Sequence, residues 1–211
     1  MASLTDAFVE ASPPVLLSAH TAADGTTYTK GAGTGTLGIN TSGQLSASAS
    51  ESGIFYYASV VPATTSQLIT CSYVITNAGK NGPGIWGYAS TDGQDGYHVA
   101  YYGGTWYLYR RLSGTYTAVG TWANSATGTF AVEMSLAPNV QSVKIGGTVR
   151  ITGTDTALSN KGRFGLGAAF DDAGTQIYIA SWSAADVVAG GLMRPLPQML
   201  GGMRSLSGGT V

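Results

Sequence analysis

The run YHVAYYGGTWYLYRRL, residues 97–112, restricts the fold of this chain more than any other stretch. Two aromatic-rich halves flank Gly103 and Gly104, and a Gly-Gly pair accepts the positive φ angles of a two-residue β-hairpin turn. A turn at these glycines fixes which residues face each other across the two strands. The predicted pairs are Tyr102 with Thr105, Tyr101 with Trp106, Ala100 with Tyr107, Val99 with Leu108 and His98 with Tyr109.

Alternation of side chains divides this hairpin into two faces. One face is predicted to be core: Val99, Tyr101, Trp106 and Leu108. The other combines aromatic rings with hydroxyl groups and an imidazole: His98, Ala100, Tyr102, Tyr107 and Tyr109. The second face suits either a layer between two sheets or an open surface that contacts a ligand.

Short alternating segments separated by turn residues continue along the chain. The clearest is QLITCSYVIT at residues 67–76, and Gly146-Gly147 marks another hairpin turn. About a dozen such segments follow one another at roughly 8–12-residue spacing, with no helix longer than a turn or two. The predicted fold class is therefore all-β, an antiparallel β-sandwich or jelly roll over residues 1–188.

Charge is scarce, with a net charge of −1 and only 10% charged residues. This composition gives no basic field for nucleic acid or anionic lipid, and no apolar run approaches the roughly 18 residues of a membrane span. The start, MASLTDAFVE, lacks the pattern of a secretory signal, so we expect synthesis in a cytoplasm. The single cysteine, Cys71, is expected to be a small buried hydrophobe.

The sequence changes in character after Asp186. Residues 189–211 contain no acidic and no aromatic residue, and Met193–Leu196 (MRPL) is echoed ten residues later by Met203–Leu206 (MRSL). Met and Leu fill apolar pockets and Arg binds carboxylates or carbonyls, so we predict an extended C-terminal docking arm. The alternative is that the segment packs back on its own domain. The residues predicted to dock are Leu192, Met193, Arg194, Leu196, Met199, Leu200, Met203, Arg204 and Leu206.

The carboxylates do not form the pattern of a glycan-cleaving site, which needs two of them roughly 5–10 Å apart. The glutamates are Glu10, Glu51 and Glu133. Glu133 is expected to face solvent or to pair with Arg150 or Lys144. A hydrolase remains a third hypothesis only if a pair such as Asp92 and Glu133 converges in space.

The histidines and the Asp-Gly clusters predict neither a metal nor a cofactor. We expect His20 to be a structural hydrogen-bonding residue, whereas His98 is either a sugar donor or a satisfied sheet histidine. Asp92, Asp95 and Asp171-Asp172 lack the four or more converging oxygens of a calcium loop. They are interpreted as turn residues.

From Leu4 to about Val188 the order of elements resembles the concanavalin A-like lectin/glucanase sandwich, especially its laminin G-like members. The matching features are Asp6-x-Phe8, the L-x-x-H of Leu17–His20, the hairpin block Val143–Ile151, Thr154-Asp155, Gly162–Gly167 and a closing strand that ends at Trp182. The family's catalytic signature, two Glu and an Asp alternating on one strand, is absent. The resemblance thus implies the sandwich fold without that hydrolytic site.

A sandwich followed by a Gly/Pro-rich apolar tail, without a signal peptide, resembles proteins of tailed-phage particles. This resemblance implies a non-enzymatic structural or display protein of the virion, either a capsid decoration or a minor tail protein. It would be a multi-copy or oligomeric protein, docked on other virion proteins through residues 189–211. The alternative is a stand-alone lectin-like module, and the two are compatible. The residues predicted to bind glycan are His98, Tyr102, Tyr107 and Tyr109.

Overall fold

The structure, a computed structural model, describes residues 1–47, 53–158, 162–168 and 176–187. These residues contain sixteen β-strands and one 3₁₀ turn, Leu17–Ala19. The strands are β1 Ser3–Asp6, β2 Val15–Leu16, β3 Tyr28–Ala32, β4 Leu37–Ile39, β5 Leu45–Ala47, β6 Ile54–Ala58, β7 Gln67–Ile75, β8 Gly84–Ala89, β9 Gly96–Tyr102, β10 Thr105–Leu112, β11 Thr115–Ala123, β12 Gly128–Ala137, β13 Val140–Ile145, β14 Thr148–Gly153, β15 Arg163–Ala168 and β16 Ile177–Asp186. Within these ranges no helix has the length and apolarity to cross a membrane.

The strands form two antiparallel sheets with the core between them. The nine-stranded sheet has the order β14-β13-β12-β7-β16-β5-β4-β2, with β1 also paired to β16. The seven-stranded sheet has the order β11-β10-β9-β8-β15-β6-β3. Fully buried side chains from both sheets, such as Ile69 and Met134 from the first and Val99 and Leu166 from the second, meet in one core. The predicted antiparallel β-sandwich is confirmed.

The β9–β10 hairpin has the register that its glycine turn predicted. Gly103 and Gly104 have φ angles of 52° and 89°. Tyr102 pairs with Thr105, and the ladder continues to Tyr109 opposite His98. The face predicted to be core is buried: Val99, Tyr101, Trp106 and Leu108.

One edge strand and the end of its partner strand have little signal in the sequence. Tyr28–Ala32 forms strand β3 at a sheet edge, although only Tyr28 gave a signal in this Gly/Thr-rich region. Its partner β6 ends at Ala58, which pairs with Tyr28, the first residue of β3. Edge pairing carries little hydrophobic pattern, so sequence alone did not locate this boundary.

A buried polar cluster joins the beginning of the chain to both sheets. Asp6 Oδ2 accepts hydrogen bonds from the Tyr28 hydroxyl at 2.6 Å and from His20 Nε2 at 2.8 Å. His20 Nδ1 contacts a carboxylate oxygen of Glu10, and Trp182 Nε1 donates to the Tyr28 hydroxyl at 2.9 Å. The predicted structural role of His20 is confirmed.

Two further sequence predictions hold. Cys71 is buried in β7, and burial raises the pKa of its thiol. Glu133 forms an ion pair with Lys144 at 2.6 Å, one of the two partners predicted for it.

Candidate functional site

Three tyrosines of the hairpin's second face form one cluster on the outside of the seven-stranded sheet. The opposite face of this hairpin lies in the core, so alternation directs these side chains away from the other sheet. Tyr107 and Tyr109 stack with 4.9 Å between ring centroids and an interplanar angle of 5°. Tyr102 lies 5.8 Å from Tyr107 and 6.1 Å from Tyr109. All three are half-buried, and we call this cluster the tyrosine platform.

The alternative, in which these rings lie between the sheets, is therefore wrong for Tyr102, Tyr107 and Tyr109. Their outward position leaves part of each ring open to solvent. Aromatic rings with hydroxyl groups at their edges can stack on an apolar ligand face and also form hydrogen bonds. The platform is a candidate binding surface.

His98, the fourth predicted glycan-binding residue, lies beside the platform, opposite Tyr109, and has 0% exposure. Its ring stacks on Trp86 with 4.5 Å between centroids. Within the described part of the chain, neither of its ring nitrogens has a hydrogen-bond partner. Burial, and then the charge of Arg111, lower the pKa of His98 to about 3, so its ring is neutral at ordinary pH. His98 is thus neither openly exposed nor a satisfied sheet histidine.

Small residues make room for the buried rings. A Cβ atom at Gly84 would lie 2.4 Å from His98 Nε2, and one at Gly167 would lie 2.7 Å from Trp86 Nε1. Both distances are shorter than any van der Waals contact. Glycine at these two positions therefore lets the rings of His98 and Trp86 lie low on the sheet.

Arg111 and Tyr116 border the buried pair. Tyr116 lies 6.2 Å from Trp86 and 6.4 Å from His98 between ring centroids. The Arg111 guanidinium lies 5.0 Å from the centroid of the Tyr116 ring and donates to the carbonyl oxygen of Gly93 at 2.7 Å. The Arg111 side chain thus links Tyr116 to the loop that contains Gly93.

Sequence reasoning missed Trp86 and Tyr116. A signal existed for Tyr116, because a two-residue turn at Ser113-Gly114 places it opposite Arg111 and on the same face as Tyr109. No such signal existed for Trp86. It pairs with His98 across a longer loop, whose length does not fix the register.

Asp92 and Asp95 act as turn residues, as predicted. Asp92 Oδ1 accepts hydrogen bonds from Ser90 Oγ at 2.5 Å and from the Gln94 backbone at 3.1 Å, and the Ser90 bond is the main cause that lowers its pKa. Asp95 Oδ1 accepts from the Ser113 backbone at 2.7 Å. Across the described ranges, no three His, Cys, Asp or Glu side chains are grouped to hold a metal ion.

The carboxylate pair that a hydrolase would need does not converge. Gly93, next to Asp92, packs on the Phe55 ring at the outer face of the seven-stranded sheet. Glu133 points away from the core on the other sheet, where it pairs with Lys144. Moreover, no strand of the seven-stranded sheet contains an aspartate or a glutamate.

Several sequence predictions fall on residues outside the described ranges. These are Glu51, Asp171-Asp172 and the whole docking arm, residues 189–211, with its nine named contacts. The arm, its partners and a virion location stay predictions.

Solved structures share this fold at low sequence identity. A β-glucanase from Bacillus licheniformis matches with a TM-score of 0.58 and 12% identity, over 89% of this chain and 99% of the glucanase. Carbohydrate-binding module CBM66 from Bacillus subtilis matches with a TM-score of 0.57 and 12% identity, over 75% and 92% of the two chains. The carbohydrate recognition domain of Emp46p matches with a TM-score of 0.53 and 10% identity, over 77% and 89%.

No protein-family model matches the chain, and no curated protein matches its sequence. The structural matches nevertheless define the fold. The chain is a β-sandwich of the concanavalin A-like/glucanase type, as its sequence predicted.

Proposed function

We propose that this protein is a carbohydrate-binding domain that holds its ligand on the tyrosine platform. The observation that carries the proposal is the cluster of Tyr102, Tyr107 and Tyr109, with its parallel Tyr107–Tyr109 pair. Sugar rings have apolar C–H faces that pack on aromatic rings, while their hydroxyl groups bond to polar groups at the ring edges. The platform offers both kinds of contact.

Two further observations support binding without hydrolysis. Solved structures of this fold include a carbohydrate-binding module and a carbohydrate recognition domain, which makes carbohydrate a reasonable ligand class. The strands beneath the platform carry no carboxylate that could act as a general acid or nucleophile.

The test is retention of the full chain on immobilised polysaccharides, compared with the Tyr107→Ala and Tyr109→Ala variants. We expect binding to weaken at least about tenfold, which is roughly 1.4 kcal/mol, with little change in melting temperature because both rings are half-buried. Tyr178→Ala is the matched control, since Tyr178 is a half-buried tyrosine of the nine-stranded sheet. Equal retention of wild type and both platform variants would show that the ligand does not bind there.

We also propose, as a separate role, attachment of this domain to a larger particle through residues 189–211. The repeated MRPL and MRSL segments support two similar contacts with one partner surface. The arm and the platform share no residue, so the two proposed roles are compatible. A mass measurement, described in the Discussion, tests whether the arm joins copies of this chain to one another.

A further inference from the structure

Three ring nitrogens without partners among the described residues belong to a stacked pair of rings beside the platform. They are Nδ1 and Nε2 of His98 and Nε1 of Trp86, all buried and unpaired among the described residues. A buried polar atom without a partner has lost its hydrogen bonds to water and gained none in return, so native proteins keep few of them without a reason. Here they share one stacked pair of rings, and His98 lies directly opposite Tyr109 in the sheet.

The described side chain that packs on both rings is Tyr116. It belongs to β11, the edge strand of the seven-stranded sheet, and is half-buried. Arg111 stacks over it and also donates to the carbonyl oxygens of Gly93 and Gly114, so the guanidinium stays in place without Tyr116. Rotation of the Tyr116 side chain about its own bonds breaks no backbone hydrogen bond of the ladder. Turning this side chain outward would uncover the two rings.

The chemistry under the cover suits sugar hydroxyl groups. Trp86 Nε1 is a donor, and a neutral imidazole offers one donor and one acceptor. Hydroxyl groups can satisfy all three nitrogens, whereas a carboxylate, which only accepts, would leave the imidazole acceptor unpaired. The strands around the pair carry no carboxylate that would compete for the same hydroxyls.

We propose that Trp86 and His98 form a second, polar subsite next to the tyrosine platform, which opens when Tyr116 turns outward. The subsite takes the hydroxyl groups of a neutral sugar ring. This inference rests on the proposed function and deepens it, because it names a ligand class and a gate for the same surface.

The first test is His98→Phe in the full chain, which keeps an aromatic ring and removes both nitrogens. The probes are a mixed-linkage β-glucan, a mannan and the anionic polygalacturonate, measured by calorimetry. For the neutral polysaccharide that wild type holds, we expect at least about tenfold weaker binding. The melting temperature should stay the same or rise, since replacing an unpaired polar group by an apolar one of similar shape is neutral or stabilising.

The second test is the rate at which diethyl pyrocarbonate modifies His98, read by peptide mass spectrometry. Tyr116→Ala should raise this rate several-fold, and the neutral polysaccharide should lower it again. His20, buried in another cluster, is the internal reference, and Tyr178→Ala is the control variant. An unchanged rate in Tyr116→Ala would show that Tyr116 is not the cover and would overturn the gate.

The outcomes separate this inference from the proposed function. If Tyr107→Ala and Tyr109→Ala lose binding while His98→Phe keeps it, the platform binds carbohydrate and the subsite is wrong. Preference for polygalacturonate over both neutral probes overturns the ligand class. If wild type holds none of the probes, the proposed function and the subsite fail together.

Discussion

Asp6 shows how one side chain can fix the path of the chain's beginning. Its carboxylate, 3% exposed, accepts hydrogen bonds from the Tyr28 hydroxyl, His20 Nε2 and the Phe8 backbone. These donors belong to three separate segments, so the carboxylate connects β1, β3 and the 3₁₀ turn. A buried carboxylate is stable only when donors of this kind replace its water.

We predict that Asp6→Ala lowers the free energy of unfolding by roughly 3 kcal/mol, because it leaves His20 and Tyr28 buried with unpaired groups. Chemical denaturation measures the change. Glu133→Ala is the control, because the ion pair that it removes is partly exposed and contributes at most about 1 kcal/mol. Equal losses in both variants would mean that the Asp6 cluster adds no more than a surface pair.

At the scale of elements, the seven-stranded sheet is built so that its outer face can bury rings. Gly84 in β8 pairs with Gly167 in β15. Gly84 lies against the His98 ring and Gly167 against the Trp86 ring. β8 and β9 are consequently buried on both faces along most of their length. An ordinary alternating strand would have left one face in water.

Gly84→Ala is predicted to destabilise the sheet by about 1–3 kcal/mol, the usual range for overpacking. The added Cβ would lie 2.1 Å from the Val99 carbonyl oxygen and 2.4 Å from His98 Nε2, so backbone must move. Thermal unfolding gives the measurement. Gly79→Ala is the control, because its Cβ would meet only Asn77 Oδ1 at 3.4 Å, an ordinary contact. A melting temperature for Gly84→Ala equal to that of the control would contradict the crowding argument.

At the scale of the whole molecule, the two sheets present different outer surfaces. The nine-stranded sheet exposes hydroxyl groups and a Glu133–Lys144 pair, and Thr70 bonds to Ser183 across two of its strands. The seven-stranded sheet exposes the tyrosine platform. The platform therefore remains accessible to a ligand if the molecule attaches elsewhere.

The predicted docking arm can be tested by measuring the mass of the protein in solution. We expect the full chain to form a defined oligomer and a chain that ends at Val188 to be monomeric, because the repeated Met-Arg-x-Leu segments would no longer join subunits. Light scattering at several protein concentrations measures both. Monomers in both cases would exclude self-association through the arm.

The central hairpin shows how far sequence alone could go towards the site. Its turn fixed the register, and alternation separated Tyr102, Tyr107 and Tyr109 from the core face. The same reasoning would have found Tyr116, which follows the next two-residue turn. It could not find β3, whose Gly and Thr residues form an edge strand without apolar alternation.

By itself, the sequence determined the sandwich fold, the hairpin register and the division of the hairpin into two faces. These depend on local physics: a two-residue turn permits one pairing, and a pleated strand alternates its side chains. Only the tertiary structure decided that His98 is buried while the tyrosines beside it stay half open. That outcome depends on Trp86, which reaches His98 across a loop whose length does not fix the register. It also depends on glycines in β8 and β15, two strands that lie far apart along the chain. Alternation says which side of a strand a residue faces, but not which residue from another strand will cover it.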